Sequence, residues 1–244
     1  LEAFIRAVVA PHVVPDADPR QAEMLERLDA ATTDLLRAVM HAPAFQMLEA
    51  SWRGVDLLVR RLETGPQLRV FLLDAPPQGL ADALDGDTID DAAIYRMLAA
   101  TAAETGPWSL LVGLEPFGAG ADDLARLAGL GRLARALGAP FVGGAQPELA
   151  GLAGFAATPS PETLGPVPDA WAVFRRTPEA AHVGLVAPRL LLRLPYGREG
   201  LPSESLAFEE LTEPPEHDAF LWGSGALAAA LAVGRAFARG GWSL

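Results

Sequence analysis

The chain contains no cysteine and no lysine. Without cysteine there is no disulfide framework, no thiolate metal site and no cysteine nucleophile, which fits a reducing, cytoplasmic setting. Without lysine there is no Gly-Lys-Ser/Thr phosphate loop. Long apolar runs are missing too. The longest, Ala226 to Val233, is far short of the roughly 20 residues a membrane span needs. The stretch Val183 to Leu194 is broken by Pro188, Arg189 and Arg193, so no membrane insertion is expected. No signal-peptide pattern opens the chain, and its first residue is Leu1. Positive charge is scarce, with a formal net charge of −12. Nucleic-acid binding is excluded on that ground, because phosphate contacts need a basic footprint.

What is present is an ordinary globular composition: 244 residues, 50% hydrophobic and 20% charged. That length supports one or two domains and a sizeable core. All 19 basic residues are arginine, and with the abundant Ala, Gly and Pro this reads as the coding bias of a GC-rich genome.

After a loop at Val13-Val14-Pro15-Asp16, Asp18-Pro19-Arg20-Gln21 reads as a helix start, with Asp18 capping and Pro19 in the first turn. Met24, Leu28, Leu35 and Val39 follow at helical spacing. His41-Ala42-Pro43 breaks this helix, and a second begins at Pro43. Its stripe is Phe45, Leu48, Trp52, Val55, Val59 and Leu62, which predicts packing, with Trp52 as core. Two amphipathic helices around a Pro turn predict a helical hairpin over 1–66.

From 67 to 244 the pattern is α/β. Leu68 to Leu73 and Trp108 to Leu114 read as strands, and Phe141-Val142 as a short one. Helices between them start at Thr88-Ile89-Asp90-Asp91, a capping-box pattern, and after Gly118-Ala119-Gly120, with Gly138 as a C-cap. The alternation predicts a mixed, partly parallel sheet flanked by helices. The Pro/Gly/Ser/Thr-rich stretch 151–168 marks a possible subdomain break. Short helices are expected around Trp171 to Arg176 and Pro178 to Ala181, and a final one from Gly225 to Arg239.

Catalytic chemistry finds little footing. His12, His41, His182 and His217 show no metal-ligand spacing. Gly129-Leu130-Gly131-Arg132-Leu133-Ala134 matches a dinucleotide fingerprint, but it lies inside a helix, where glycines serve close packing instead. Gly118-Ala119-Gly120 is better placed for an anion. Yet Asp122 and Asp123 already complement that helix terminus and would repel a phosphate. Ser224 reads as a helix cap, not a nucleophile. Glu209, Glu210 and Glu213 read as a solvated or partner-facing acidic loop. No nucleophile, base and oxyanion donor come together. The reading is therefore non-enzymatic, with no cofactor and no metal. A nucleotide-binding α/β enzyme using the Gly118 loop remains as the weaker alternative.

Several strings in order carry a resemblance. They are Pro43-Ala44-Phe45-Gln46-Met47-Leu48-Glu49-Ala50-Ser51-Trp52-Arg53-Gly54, Glu115-Pro116-Phe117-Gly118, Ala139-Pro140-Phe141-Val142, His182-Val183-Gly184-Leu185 and Pro188-Arg189-Leu190-Leu191-Leu192-Arg193-Leu194-Pro195-Tyr196-Gly197. Phe208-Glu209-Glu210, Phe220-Leu221-Trp222-Gly223 and Ala236-Phe237-Ala238-Arg239-Gly240-Gly241-Trp242 complete the series. Taken together the chain resembles the large sheath subunit of type VI secretion systems, the TssC or VipB family. The resemblance implies a structural subunit that assembles with a small sheath subunit, and with further copies of itself, around an inner tube protein. Contraction would eject the tube, with a baseplate and a disassembly ATPase as indirect partners. A divergent, non-polymerising adaptor or baseplate component is the alternative within that resemblance. The family motif residues are Trp52, Arg53, Gly54, Pro195, Tyr196, Gly197, Glu209, Glu210, Leu221, Trp222 and Gly223. They are expected to fix the fold or to form interfaces. The region Asp85 to Gly106 is shorter and less Tyr/Gly-rich than the family pattern, which implies a trimmed surface loop. The family continues beyond the Gly-Trp motif, so the chain is expected to be an excised fragment or a truncated relative.

Overall fold

The computed structural model describes residues 2, 19–75, 80, 84, 88–156, 160–204 and 206–242. It forms two compact units: Leu1–Gln46 with Leu194–Ala219, and Met47–Arg193 with Phe220–Leu244.

The N-terminal helices appear as α1, Pro19–Met40, and α2, Pro43–Arg61. Both start on a proline, whose missing N–H is unbonded in a first turn anyway. His41 and Ala42 separate them, where the sequence places the break. The expected cap Asp18 and the loop at 13–16 lie outside the described residues. The buried face of α2 differs from the expected stripe. Of that stripe Leu62, just after α2, is buried as expected, but Leu48, Trp52 and Val59 are exposed, and Gly54 and Leu58, outside the stripe, are buried. Trp52 is 61% exposed and is not core. Gly54 lies on the buried side: a Cβ there would lie 2.8 Å from Leu227 Cδ1, so a larger residue would push that leucine aside.

The second unit holds a three-stranded parallel sheet in the order β1–β2–β3, made by Leu111–Phe117, Phe141–Ala145 and Val183–Val186. Leu111 pairs with Phe141 and Phe141 with Val183. Two further strands, β4 (Leu190–Leu191) and β5 (Trp222–Gly223), pair antiparallel, which makes the architecture mixed. The helices are α3 (Ala93–Thr105), α4 (Ala121–Leu137), α5 (Asp169–Phe174) and α6 (Ala226–Gly240). The mixed α/β class follows from the sequence pattern, while two details do not.

First, residues 68–73 form no strand. They are extended, but among the described residues the main chain from 69 to 75 makes no hydrogen bond. Side chains hold the segment instead. The Arg69 guanidinium donates to the Thr105 carbonyl, and Phe71 meets Trp108 edge-on at 5.0 Å. Trp108 itself donates its indole N–H to the Leu98 carbonyl, and β1 begins three residues later than expected. Second, the Thr88 hydroxyl bonds the Asp91 carboxylate instead of a backbone amide. A short 3-10 turn, Ile89–Asp91, precedes α3.

Two cores support the second unit. One gathers Leu127, Leu130, Leu133 and Ala134 of α4 with Phe117, Phe141, Leu98 and Phe174. Phe117 and Phe141 meet edge-to-face at 5.8 Å, a favoured aromatic geometry. The other joins Leu58 and Leu62 to Leu227 and Ala230 of α6. The Gly-x-Gly pattern inside α4 does serve packing. A Cβ at Gly131 would lie 2.6 Å from the Glu179 carbonyl oxygen, which brings α4 against the short helix Glu179–His182. Gly131→Ala should therefore cost about 1–2 kcal/mol in thermal unfolding, because the backbone clash outweighs alanine's better helix propensity. An unchanged or raised melting temperature would mean that the approach relaxes freely. Gly138 closes α4 in the left-handed conformation, φ 67°, with its N–H on the Ala134 and Arg135 carbonyls.

Candidate assembly site

The motif residues fall into two groups, one in each unit.

In the second unit, Trp52, Arg53 and Gly54 are adjacent on α2 but do different work. Trp52 is exposed, Gly54 lies under Leu227, and the Arg53 Nε donates to Glu49 Oε1 at 2.7 Å. Glu49 also accepts two bonds from Arg193, Nε to Oε1 at 2.8 Å and Nη2 to Oε2 at 3.2 Å. Arg193 is buried, its side chain only 4% exposed. Burial pushes the Glu49 carboxyl up, but the Arg193 and Arg53 guanidiniums more than offset this and hold it below its ordinary value. Neither Glu49 nor Arg193 was singled out as a site residue. The signal was partial: Glu49 and Arg53 stand four apart on a helix, while Arg193 interrupts an apolar run.

Leu221, Trp222 and Gly223 belong to the same unit. Leu221 is buried and its carbonyl accepts from the Leu192 amide. Trp222 lies under the Arg189 guanidinium, 5.5 Å from the ring centroid. Arg189 also stands 5.6 Å over Phe155. A Cβ at Gly223 would lie 2.6 Å from Leu192 Cδ1, so glycine admits the β4–β5 pairing at this position. Ser224 is not the cap it reads as in sequence: Gly225 holds the N-cap position of α6 without a side-chain cap bond, and the Ser224 hydroxyl, one residue earlier, accepts from the Ala226 amide at 3.2 Å.

In the first unit, Pro195, Tyr196 and Gly197 are tied to Glu209 and Glu210. The Tyr196 amide donates to Glu210 Oε2 at 2.7 Å, and the Glu210 amide returns to the Tyr196 carbonyl at 2.9 Å. The Leu201 amide closes a tight turn on the Pro195 carbonyl. Gly197 has φ 148°, a conformation unsuited to L side chains, and a Cβ there would run into the Glu209 carboxylate. Glu209 accepts from the Arg198 amide, and its carbonyl accepts from Arg37 Nε of α1 at 2.8 Å.

The reading of Glu209, Glu210 and Glu213 as a solvated or partner-facing acidic loop needs correction at Glu210. Its side chain is 2% exposed, with His41 Nε2 3.9 Å from Oε1. A buried carboxylate persists because charged hydrogen bonds replace its water. Replacing Glu210 by alanine should expose the Tyr196 amide to solvent and speed its hydrogen exchange by about tenfold or more. Unchanged protection would mean that the turn does not depend on this carboxylate.

The loop weighed as an anion site is already filled. The Gly118 amide donates to Asp123 Oδ2 at 2.6 Å, and Asp123 in turn meets Arg126. An incoming phosphate would have to displace a carboxylate there. Among the described residues, no group of three or more His, Cys, Asp or Glu is arranged to hold a metal ion. No helix among them is long and apolar enough to cross a membrane.

Large apolar side chains are exposed on α1, at Leu48, at the motif residue Trp52 and at Val59 of α2, and along 70–73. Exposed apolar patches mark interaction sites. Residues 22–244 match the VipB family model described as "EvpB/VC_A0108, tail sheath N-terminal domain". The chain is 32% identical over 232 residues to the type VI secretion system sheath protein TssC1 of Pseudomonas aeruginosa. That alignment covers 90% of this chain and 46% of the relative, so the chain spans about half the length of that protein.

Proposed function

The chain belongs to the VipB tail sheath family, and from that premise we propose that it is the N-terminal body of a type VI secretion sheath large subunit. In this reading it is structural, not catalytic, and needs no cofactor. It joins a small sheath subunit and further copies of itself around an inner tube protein. Sheath contraction ejects that tube, and a baseplate and a disassembly ATPase act on the assembly indirectly. The supporting observation is the match across nearly the whole chain, joined to exposed apolar residues that a free-standing protein would bury. Rigid bodies of this kind suit a lattice that switches between two arrangements.

The test is to co-express the full-length parent with the neighbouring small-subunit gene and inspect the product by negative-stain electron microscopy. Hollow tubes with a regular helical lattice are expected. A defined soluble complex without tubes would favour an adaptor or baseplate component, and no complex at all would overturn the sheath reading.

A further inference from the structure

We propose that His41 and Glu210 form a pH-operated clasp, in which a protonated imidazole locks the turn after α1 onto the segment that carries Pro195, Tyr196 and Gly197. Both residues belong to the first unit. The His41 amide donates to the Arg37 carbonyl at 2.9 Å, so the ring is carried on a fixed backbone.

The ring nitrogen Nε2 is buried and has no hydrogen-bond partner among the described residues. It stands 3.9 Å from Oε1 of Glu210, whose side chain is 2% exposed. A carboxylate oxygen only accepts, so this nitrogen is satisfied there only as a donor. In the imidazolium both ring nitrogens donate. A movement of about 1 Å then turns the approach into a charged hydrogen bond. The other carboxylate oxygen, Oε2, already holds the Tyr196 amide at 2.7 Å, and the Glu210 amide holds the Tyr196 carbonyl. Fixing Glu210 therefore fixes the motif turn.

The charges nearby do not replace His41. Arg37, one turn earlier on α1, donates to the Glu209 carbonyl and meets Asp34. The Glu209 carboxylate accepts from the Arg198 amide and lies 3.5 Å from its guanidinium. Of ordinary side chains only imidazole changes charge between about pH 5 and 8. The Arg37 bond is thus constant over that range, and the clasp adds to it in mild acid. Only the folded chain sets the protonated ring against Glu210. The contribution is therefore complete below about pH 6 and gone by about pH 8. The proposal rests on this contact and not on the sheath reading, so either can fail without the other.

Hydrogen exchange of the 244-residue chain at about pH 5.5 and about pH 8, corrected for intrinsic rates, tests it. The Tyr196 and Glu210 amides should be about fivefold better protected at the lower pH. In His41→Gln and in Glu210→Gln that ratio should fall to about one. Glu210→Gln keeps an oxygen that accepts the Tyr196 amide, so the turn still forms. His217→Gln, which removes the imidazole beside Asp218 in the same unit, should leave the ratio at its wild-type value. Equal protection of the wild type at both pH values overturns the proposal without recourse to any variant. So does a pH effect that survives His41→Gln, or one that disappears in His217→Gln.

Discussion

Replacing Glu49 by alanine is expected to lower the stability of the second unit by about 3 kcal/mol. On a chain of this size that is a fall of about 6–12 °C in melting temperature. The carboxylate accepts both arms of the Arg193 guanidinium and the Nε of Arg53. Arg193 is buried, so the loss is not repaired by water as it would be at the surface. Arg60→Ala is the control. It removes an ion pair of the same helical spacing between side chains 75% and 58% exposed, and the melting temperature should barely move. The pH dependence has a definite sign. The Glu49 carboxyl is held below its ordinary value of 4.5. Its contribution is therefore complete above that value and is lost as the pH falls through the lower, folded one. The difference in stability between wild type and Glu49→Gln should be constant near neutrality and shrink on acidification. A difference that grows in acid would contradict the assigned pair.

Leu227→Ala should cost about 3 kcal/mol, since the side chain is 1% exposed at the centre of the second core. The informative measurement is its coupling to Gly54. In the wild type, a methyl at position 54 meets the Leu227 side chain at 2.8 Å. Gly54→Ala should therefore destabilise by about 1 kcal/mol. In the Leu227→Ala background the obstruction is gone. The same change should then be neutral or stabilising by up to about 1 kcal/mol, the intrinsic helix preference of alanine over glycine. A double-mutant cycle reads this sign change directly. Strict additivity would mean that Gly54 is not what seats α6 on α2.

Local signals were legible in the sequence, and distant pairings were not. Prolines at 19 and 43 placed the starts of α1 and α2, and Gly138 placed the end of α4. Each is decided by its own backbone within a turn or so. Alternation of apolar runs with helices led to the parallel sheet, although β1 starts later because Trp108 is drawn onto the Leu98 carbonyl. The failures are tertiary. Trp52 sits on the more apolar stripe of α2, yet the side that is buried is the one where glycine lets Leu227 in. Glu210 stands beside a second glutamate in a polar stretch, and adjacent charges ordinarily mean solvent. Its burial depends on the Tyr196 amide, fourteen residues away. Glu49 and Arg193 are separated by 144 positions, and nothing local announces the pair. The family strings were recognisable as strings, but whether each member packs or protrudes required the fold.

The extended stretch around Phe71 carries a practical consequence for handling the protein. Proteases bind their substrates as extended chains with free main-chain groups, and among the described residues the main chain of 69–75 already has that form. Phe71 and Leu72, 49% and 62% exposed, offer side chains that chymotrypsin accepts. Brief digestion should nick the chain there before it touches the buried helix α4. The cut would sever α1 and α2 covalently from everything that follows. Yet Leu58 and Leu62 would still be packed against Leu227 and Ala230, and those contacts do not depend on the broken peptide bond. Nicked protein should therefore elute as one particle from a native column and separate into two fragments only in denaturant.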